Sequence, residues 1–181
     1  MRAKANLIAA VFILVLCIGG VHFLMRGGTE VTPSPLSFGS TYVGKPLSET
    51  YQNAALGFSI EMPEGFHAQE LPLDENGGRT IVLQNESGEG IQIYAVAYPE
   101  AIQSLSLEDI RAAIPDMRVN DEQVVQIGAN YTGISFKSDN EAFNNDSREV
   151  WFVYRGTLYQ ISTYARLDGL LQAMFATWKF N

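Results

Sequence analysis

Apolar residues recur at every second position in several short stretches between Phe58 and Tyr164, separated by clusters of turn residues. Phe58-Ser59-Ile60-Glu61-Met62 alternates in this way and predicts a strand that Pro63 stops. Arg79 to Asn85 and Ile91 to Tyr98 predict two more, joined by a hairpin turn at Glu86-Ser87-Gly88-Glu89-Gly90. The period then changes. Leu107, Ile110 and Ile114 stand at helical spacing, with Ser106 as N-cap, Asp109 three residues on, and Pro115 as the stop. Strands are predicted again at Gln123 to Ile127, Tyr131 to Lys137, Arg148 to Tyr154 and Leu158 to Tyr164. The last two flank a short loop, Arg155-Gly156-Thr157. Val150-Trp151-Phe152-Val153-Tyr154 is apolar on both faces, which places that strand centrally with cover on both sides. A second helix is predicted over Asp168 to Trp178, burying Leu170, Leu171, Met174, Phe175 and Trp178. The expectation is an α+β fold: six or seven mostly antiparallel strands in a sheet with two helices packed on it.

The first part of the chain follows a different pattern. Leu7 to Met25 holds no charged residue, and as a helix it would reach about 28 Å, enough to cross a hydrocarbon core. Arg2 and Lys4 precede it, and positive-inside bias places residues 1–6 in the cytoplasm. A cleaved signal peptide fits less well, because hydrophobic residues run on past Gly19-Gly20 to Met25. Leu16, bulky and next to Cys17, opposes a lipoprotein signal, and a core helix would show one apolar stripe where this segment is apolar all round. His22, near the end of the span, is expected at the membrane interface. The expected organisation is a cytoplasmic N-terminus (1–6), a single-pass signal anchor (7–25), a flexible linker (26–50) and an extracytoplasmic domain (51–181). Of the 24 residues from Gly27 to Thr50, 15 are Gly, Pro, Ser or Thr. As a coil that stretch would span about 25–30 Å.

Charge and cysteine usage narrow the function. All 20 acidic residues lie beyond the first 28 positions, against nine of the 12 basic ones, so the remainder carries −11. Such a surface repels phosphate backbones, and no nucleic-acid partner is expected. One cysteine excludes an intramolecular disulfide, a CxxC redox pair and a thiolate zinc site.

The residues now carry a family likeness. Gly57-Phe58-Ser59-Ile60, with Pro63 and Gly65-Phe66, resembles the opening "GFxxxxPxGW" of PsbP-like and Mog-type domains. Trp151-Phe152-Val153, Gly156-Thr157-Leu158-Tyr159-Gln160-Ile161 and Thr177-Trp178-Lys179-Phe180 resemble their closing strand, last helix and short finish. Phe66 stands where the family usually has tryptophan, and Thr177-Trp178 where it has Ser-Phe. The chain is also similar to small bacterial proteins, some from candidate phyla, that carry one N-terminal anchor and this domain. The resemblance implies a PsbP-like sandwich over 51–181 and a non-catalytic accessory of a membrane complex, or, for the Mog group, a binder of a small GTPase.

Candidate chemistry is sparse. His67 is the one histidine outside the apolar span, no GxSxG accompanies it, and a strand-edge position is its expected role. Neither a Walker loop nor GxGxxG is present. Asp74-Glu75, Glu108-Asp109 and Asp121-Glu122 are neighbours in sequence, and on a strand neighbours point to opposite faces. The stretch from Asp139 to Asp146 offers six oxygen-bearing side chains, the kind that calcium prefers. Its candidate ligands are Asp139, Glu141, Asn144 and Asp146, but Phe143 and the missing glycine depart from an EF-hand, and a polar connecting loop is the expected role. No catalytic residue and no cofactor is expected, with Ca2+ the ion the loop would suit. The partners expected are the membrane, through Leu7 to Met25, and a protein of undetermined identity. The competing expectation is a ligand- or Ca2+-dependent domain, or an unrecognised hydrolase.

Overall fold

A computed structural model describes residues 34–35, 40–99, 102–128 and 131–181. The strands are β1 (Ser34–Pro35), β2 (Leu47–Asn53), β3 (Phe58–Pro63), β4 (His67–Glu70), β5 (Arg79–Gln84) and β6 (Gly90–Ala97). After helix α1 (Leu107–Ala113) come β7 (Val119–Ile127), β8 (Tyr131–Ser138), β9 (Ser147–Tyr154) and β10 (Thr157–Tyr164). Helix α2 (Asp168–Ala176) and β11 (Lys179–Phe180) close the chain.

The strands form two sheets. The larger runs β1-β7-β8-β9-β10-β6-β5-β4, antiparallel throughout except for the two-residue parallel pairing of β1 with β7. The smaller runs β11-β3-β2. One face of the large sheet packs against the small sheet and α2, where Phe58, Ile60 and Met62 meet Ile81, Leu83, Ile93, Phe152, Tyr159 and the α2 stripe. Trp178 lies stacked on Phe58 with ring centroids 4.4 Å apart and edge-on to Phe152 at 5.7 Å. The opposite, outer face carries Ile134, Phe136 and Trp151, and α1 covers them with Ile110 and Ile114. The layers are therefore α1, the large sheet, then the small sheet with α2.

Local chemistry explains the connections. Ser106 Oγ accepts from the Asp109 amide at 3.1 Å while Asp109 Oδ2 accepts from the Ser106 amide at 2.8 Å, closing the predicted capping box. Between β5 and β6, Asn85 Oδ1 accepts from the amides of Ser87 and Glu89. Between β9 and β10 the loop is Arg155-Gly156, both at positive φ (46° and 71°), as a tight hairpin of right-twisted strands requires. Strand β9 is buried along all eight residues, so the expectation of a central, doubly covered strand holds.

The structure departs from the sequence reading in three places. A second sheet exists, built from β2, β3 and β11. Strand β2 begins at Leu47, inside the stretch read as linker (26–50); Leu47, Glu49 and Tyr51 are half-buried while Ser48, Thr50 and Gln52 are exposed. That alternation was hidden by turn-forming composition. Strand β4 has no apolar pattern because all four of its residues are exposed at the sheet's edge. The predicted span, Leu7 to Met25, and residues 1–6 lie outside the described residues. Among the described residues no helix is long and apolar enough to cross a membrane.

Candidate functional site

Among the described residues three charged side chains are buried, Arg148, Glu149 and Asp168; the first two are successive on β9 and therefore on opposite faces of the large sheet. Arg148 points toward α2 and is 2% exposed. Its Nε and Nη2 donate to Asp168 Oδ1 and Oδ2 at 3.1 and 3.0 Å, a bidentate pair at the first residue of α2. The same Nη2 donates to Asp121 Oδ2 at 3.0 Å. Asp121 reaches it because β7 bulges there, with Asp121 at φ 54° and the pairing slipping between Asn120 and Gln123. The hydrogen bond from Arg148 is the largest influence on the Asp121 carboxyl and holds it below the ordinary carboxylate range.

Glu149 points to the outer face and is 3% exposed. Its Oε1 accepts from Ser147 Oγ at 2.7 Å, Ser138 Oγ at 3.2 Å and Asn140 Nδ2 at 3.3 Å, while Oε2 accepts from Ser162 Oγ. Ser138 Oγ also lies 2.6 Å from Ser147 Oγ, and the single proton of each hydroxyl serves either the other serine or the carboxyl. The register explains the grouping: Ser138 faces Ser147 across β8 and β9, and Ser162 faces Glu149 across β9 and β10. Burial pushes the Glu149 carboxyl up, and the donors from Ser162, Ser147, Asn140 and Ser138 oppose that shift.

The oxygen-rich stretch, expected to be a polar connecting loop with a cation site as the alternative, meets this carboxyl through Asn140. Glu141–Phe143 forms a 3-10 turn capped by Asn140, whose Oδ1 accepts from the Ala142 amide at 3.1 Å. Phe143 is buried edge-on against Tyr164, and the Asp146 carbonyl accepts from the Ala165 amide at 2.9 Å. The four candidate ligands do not converge. Asp139 Oδ1 accepts from the Arg118 amide at 2.7 Å. Glu141, Asn144 and Asp146 are exposed, with Asn144 in the left-handed region at φ 56° as the turn's C-cap. Among the described residues no group of three or more His, Cys, Asp or Glu is placed to hold a metal. His67 lies on the exposed edge strand β4, as read from the sequence.

Sequence reading missed Arg148 and Glu149 as a pair. The available signal was a charged dipeptide opening a strand that is otherwise apolar on both faces.

A third feature lies where the chain enters the domain. Thr41 and Tyr42 cross α2 at Gly169, so closely that a Cβ there would stand 3.0 Å from the Thr41 carbonyl carbon and the Tyr42 nitrogen. Tyr42 packs onto the main core, and Ser34–Pro35 pair with Val125 and Gln126 at the sheet's edge.

No family model matches this chain, and no curated protein matches it in sequence. Among solved structures it is similar to cyanobacterial PsbP (CyanoP) from Synechocystis sp. PCC 6803, at a TM-score of 0.50 and 11% identity. The match covers 80% of this chain and 99% of that one. The chain has a PsbP-like fold.

Proposed function

We propose that this chain is a membrane-tethered, non-catalytic accessory protein whose domain stands outside the cytoplasm and binds a protein partner. The observation that supports it best is the fold, matched over 99% of the length of a PsbP protein. PsbP-like proteins serve as accessories of membrane complexes, and that role is carried here by analogy of fold. The interior charges agree with it: Arg148 is engaged by Asp168 of α2, and Glu149 by the serines of the sheet and by Asn140 of the loop. The apolar stretch from Leu7 to Met25 supplies the anchor, with the N-terminus in the cytoplasm. An excess of 20 acidic over nine basic residues beyond position 28 favours a partner with a basic docking face.

The test combines topology with capture. Protease added outside cells stripped of any outer membrane is expected to remove the domain and spare a tag on residues 1–6. Crosslinking of the full-length tagged chain in its own membranes is expected to yield one stoichiometric partner, released as salt is raised. A domain protected from external protease overturns the topology, and no enriched partner across several crosslinkers overturns the accessory role.

A further inference from the structure

The cage around Glu149 is built from fixed and movable parts. Ser138, Ser147 and Ser162 belong to strands of the large sheet, held by its ladder. Asn140 belongs to the loop, and it does two things at once. Its Nδ2 donates to Glu149 and its Oδ1 caps the 3-10 turn. As a donor Asn140 favours the ionised carboxyl, while closure of the loop that carries it keeps water from that carboxyl and favours the protonated one. Charge and loop conformation are thus coupled, with burial as the larger influence. We propose that Glu149 and Asn140 form a proton-operated latch, which holds the Asn140–Asp146 loop closed when the carboxyl is protonated and frees it when the carboxyl ionises.

Among the described residues no opposite charge offsets the ionised form. On β8 and β9 the neighbouring cations, Lys137 and Arg148, are cross-strand partners on the opposite face of the sheet. On the loop itself, Asp139 is held by Arg118, and Glu141 and Asp146 face solvent. On β10 the titratable neighbour is Tyr164, covered by the Arg166 guanidinium 4.5 Å from its ring centre. Beyond Trp151 and Phe136, the cation of α1 is Arg111, which is engaged by Glu122 at 2.6 Å. An ionised Glu149 is left with neutral donors alone in a site without solvent, where charge is costly. Lifting the loop admits water and relieves that cost. A protonated carboxyl can donate as well as accept, and it fits the closed cage without a counter-ion.

The test is hydrogen exchange on the full chain in mild detergent between pH 5 and pH 8, corrected for intrinsic exchange. The reporters are the amides of Phe143, Asn145, Asp146 and Ala165, each bonded within the loop or to it. Their protection is expected to fall about tenfold or more over this range, while that of β9 and β10 stays level. In Glu149→Gln the fall is expected to vanish and the loop to stay protected. A level profile in the wild type overturns the proposal, as does an unchanged fall in the Gln variant. If that variant does not fold, the wild-type Glu149 carboxyl carbon is followed by NMR. A carboxyl midpoint matching that of the loop amides supports the latch, and a separate midpoint overturns it.

Discussion

At the scale of single residues, the two buried charges of β9 have different partners and so different consequences. Arg148 is satisfied by a carboxylate that lies in the core with it, so removing Asp168 leaves a guanidinium buried. Asp168→Ala is expected to lower stability by about 3 kcal/mol, the low end for such a loss because Asp121 remains in place. A chemical denaturation midpoint measures this, and the paired change Arg148→Met with Asp168→Leu is expected to recover most of it. Asp121 has its carboxyl held down by Arg148, so its contribution is present above the unfolded value and lost as pH falls through the lower folded value. Asp121→Asn is therefore expected to flatten the acid limb of a plot of Tm against pH. Glu149 acts in the opposite sense. Its raised value makes its contribution full below the ordinary glutamate range and lost as pH rises through the folded value. Replacing it with Gln should raise Tm at neutral pH more than at pH 4.

At the scale of elements, caps and turns were as readable as the core. The Ser106 capping box is one such device, and Ser106→Ala is expected to cost about 0.5–2 kcal/mol, seen as a lower denaturation midpoint with an unchanged slope. The seven predicted strands, both helices and the central place of β9 were legible because each must bury one face or, for β9, both. Strands β4 and β11 were not. The first carries only exposed residues, and the second is two residues long. Strand β2 was concealed by Ser, Thr and Pro, residues that signal a linker until their alternation is noticed. The site was legible in composition and not in arrangement: the oxygen-rich loop stood out, but its role as cover for Glu149 depends on which serines β8, β9 and β10 bring into register. Pairing register is a long-range property and leaves no local trace.

At the scale of the whole molecule, the domain begins before Tyr51. Residues 47–50 pair with Glu61, Met62 and Pro63, so a chain starting at Tyr51 loses half of an edge strand. It is expected to melt lower than one starting at Ser40, which keeps β2 and the crossing of Thr41 and Tyr42 over Gly169. Differential scanning calorimetry of the two distinguishes them. That crossing has a mechanical meaning as well. Ahead of β2 the chain is fastened by the two-residue strand Ser34–Pro35 at one point and by the close approach of Thr41 and Tyr42 to Gly169 at another. Neither fastening has the strength of the antiparallel ladders. A pull applied to the chain ahead of Ser34 loads these contacts first and leaves the sheets intact. Fully extended, the thirteen residues from Ser34 to Pro46 span about 40 Å. The domain thus has a short leash that yields under load, and single-molecule extension should show that first release at low force, well before the domain itself unfolds.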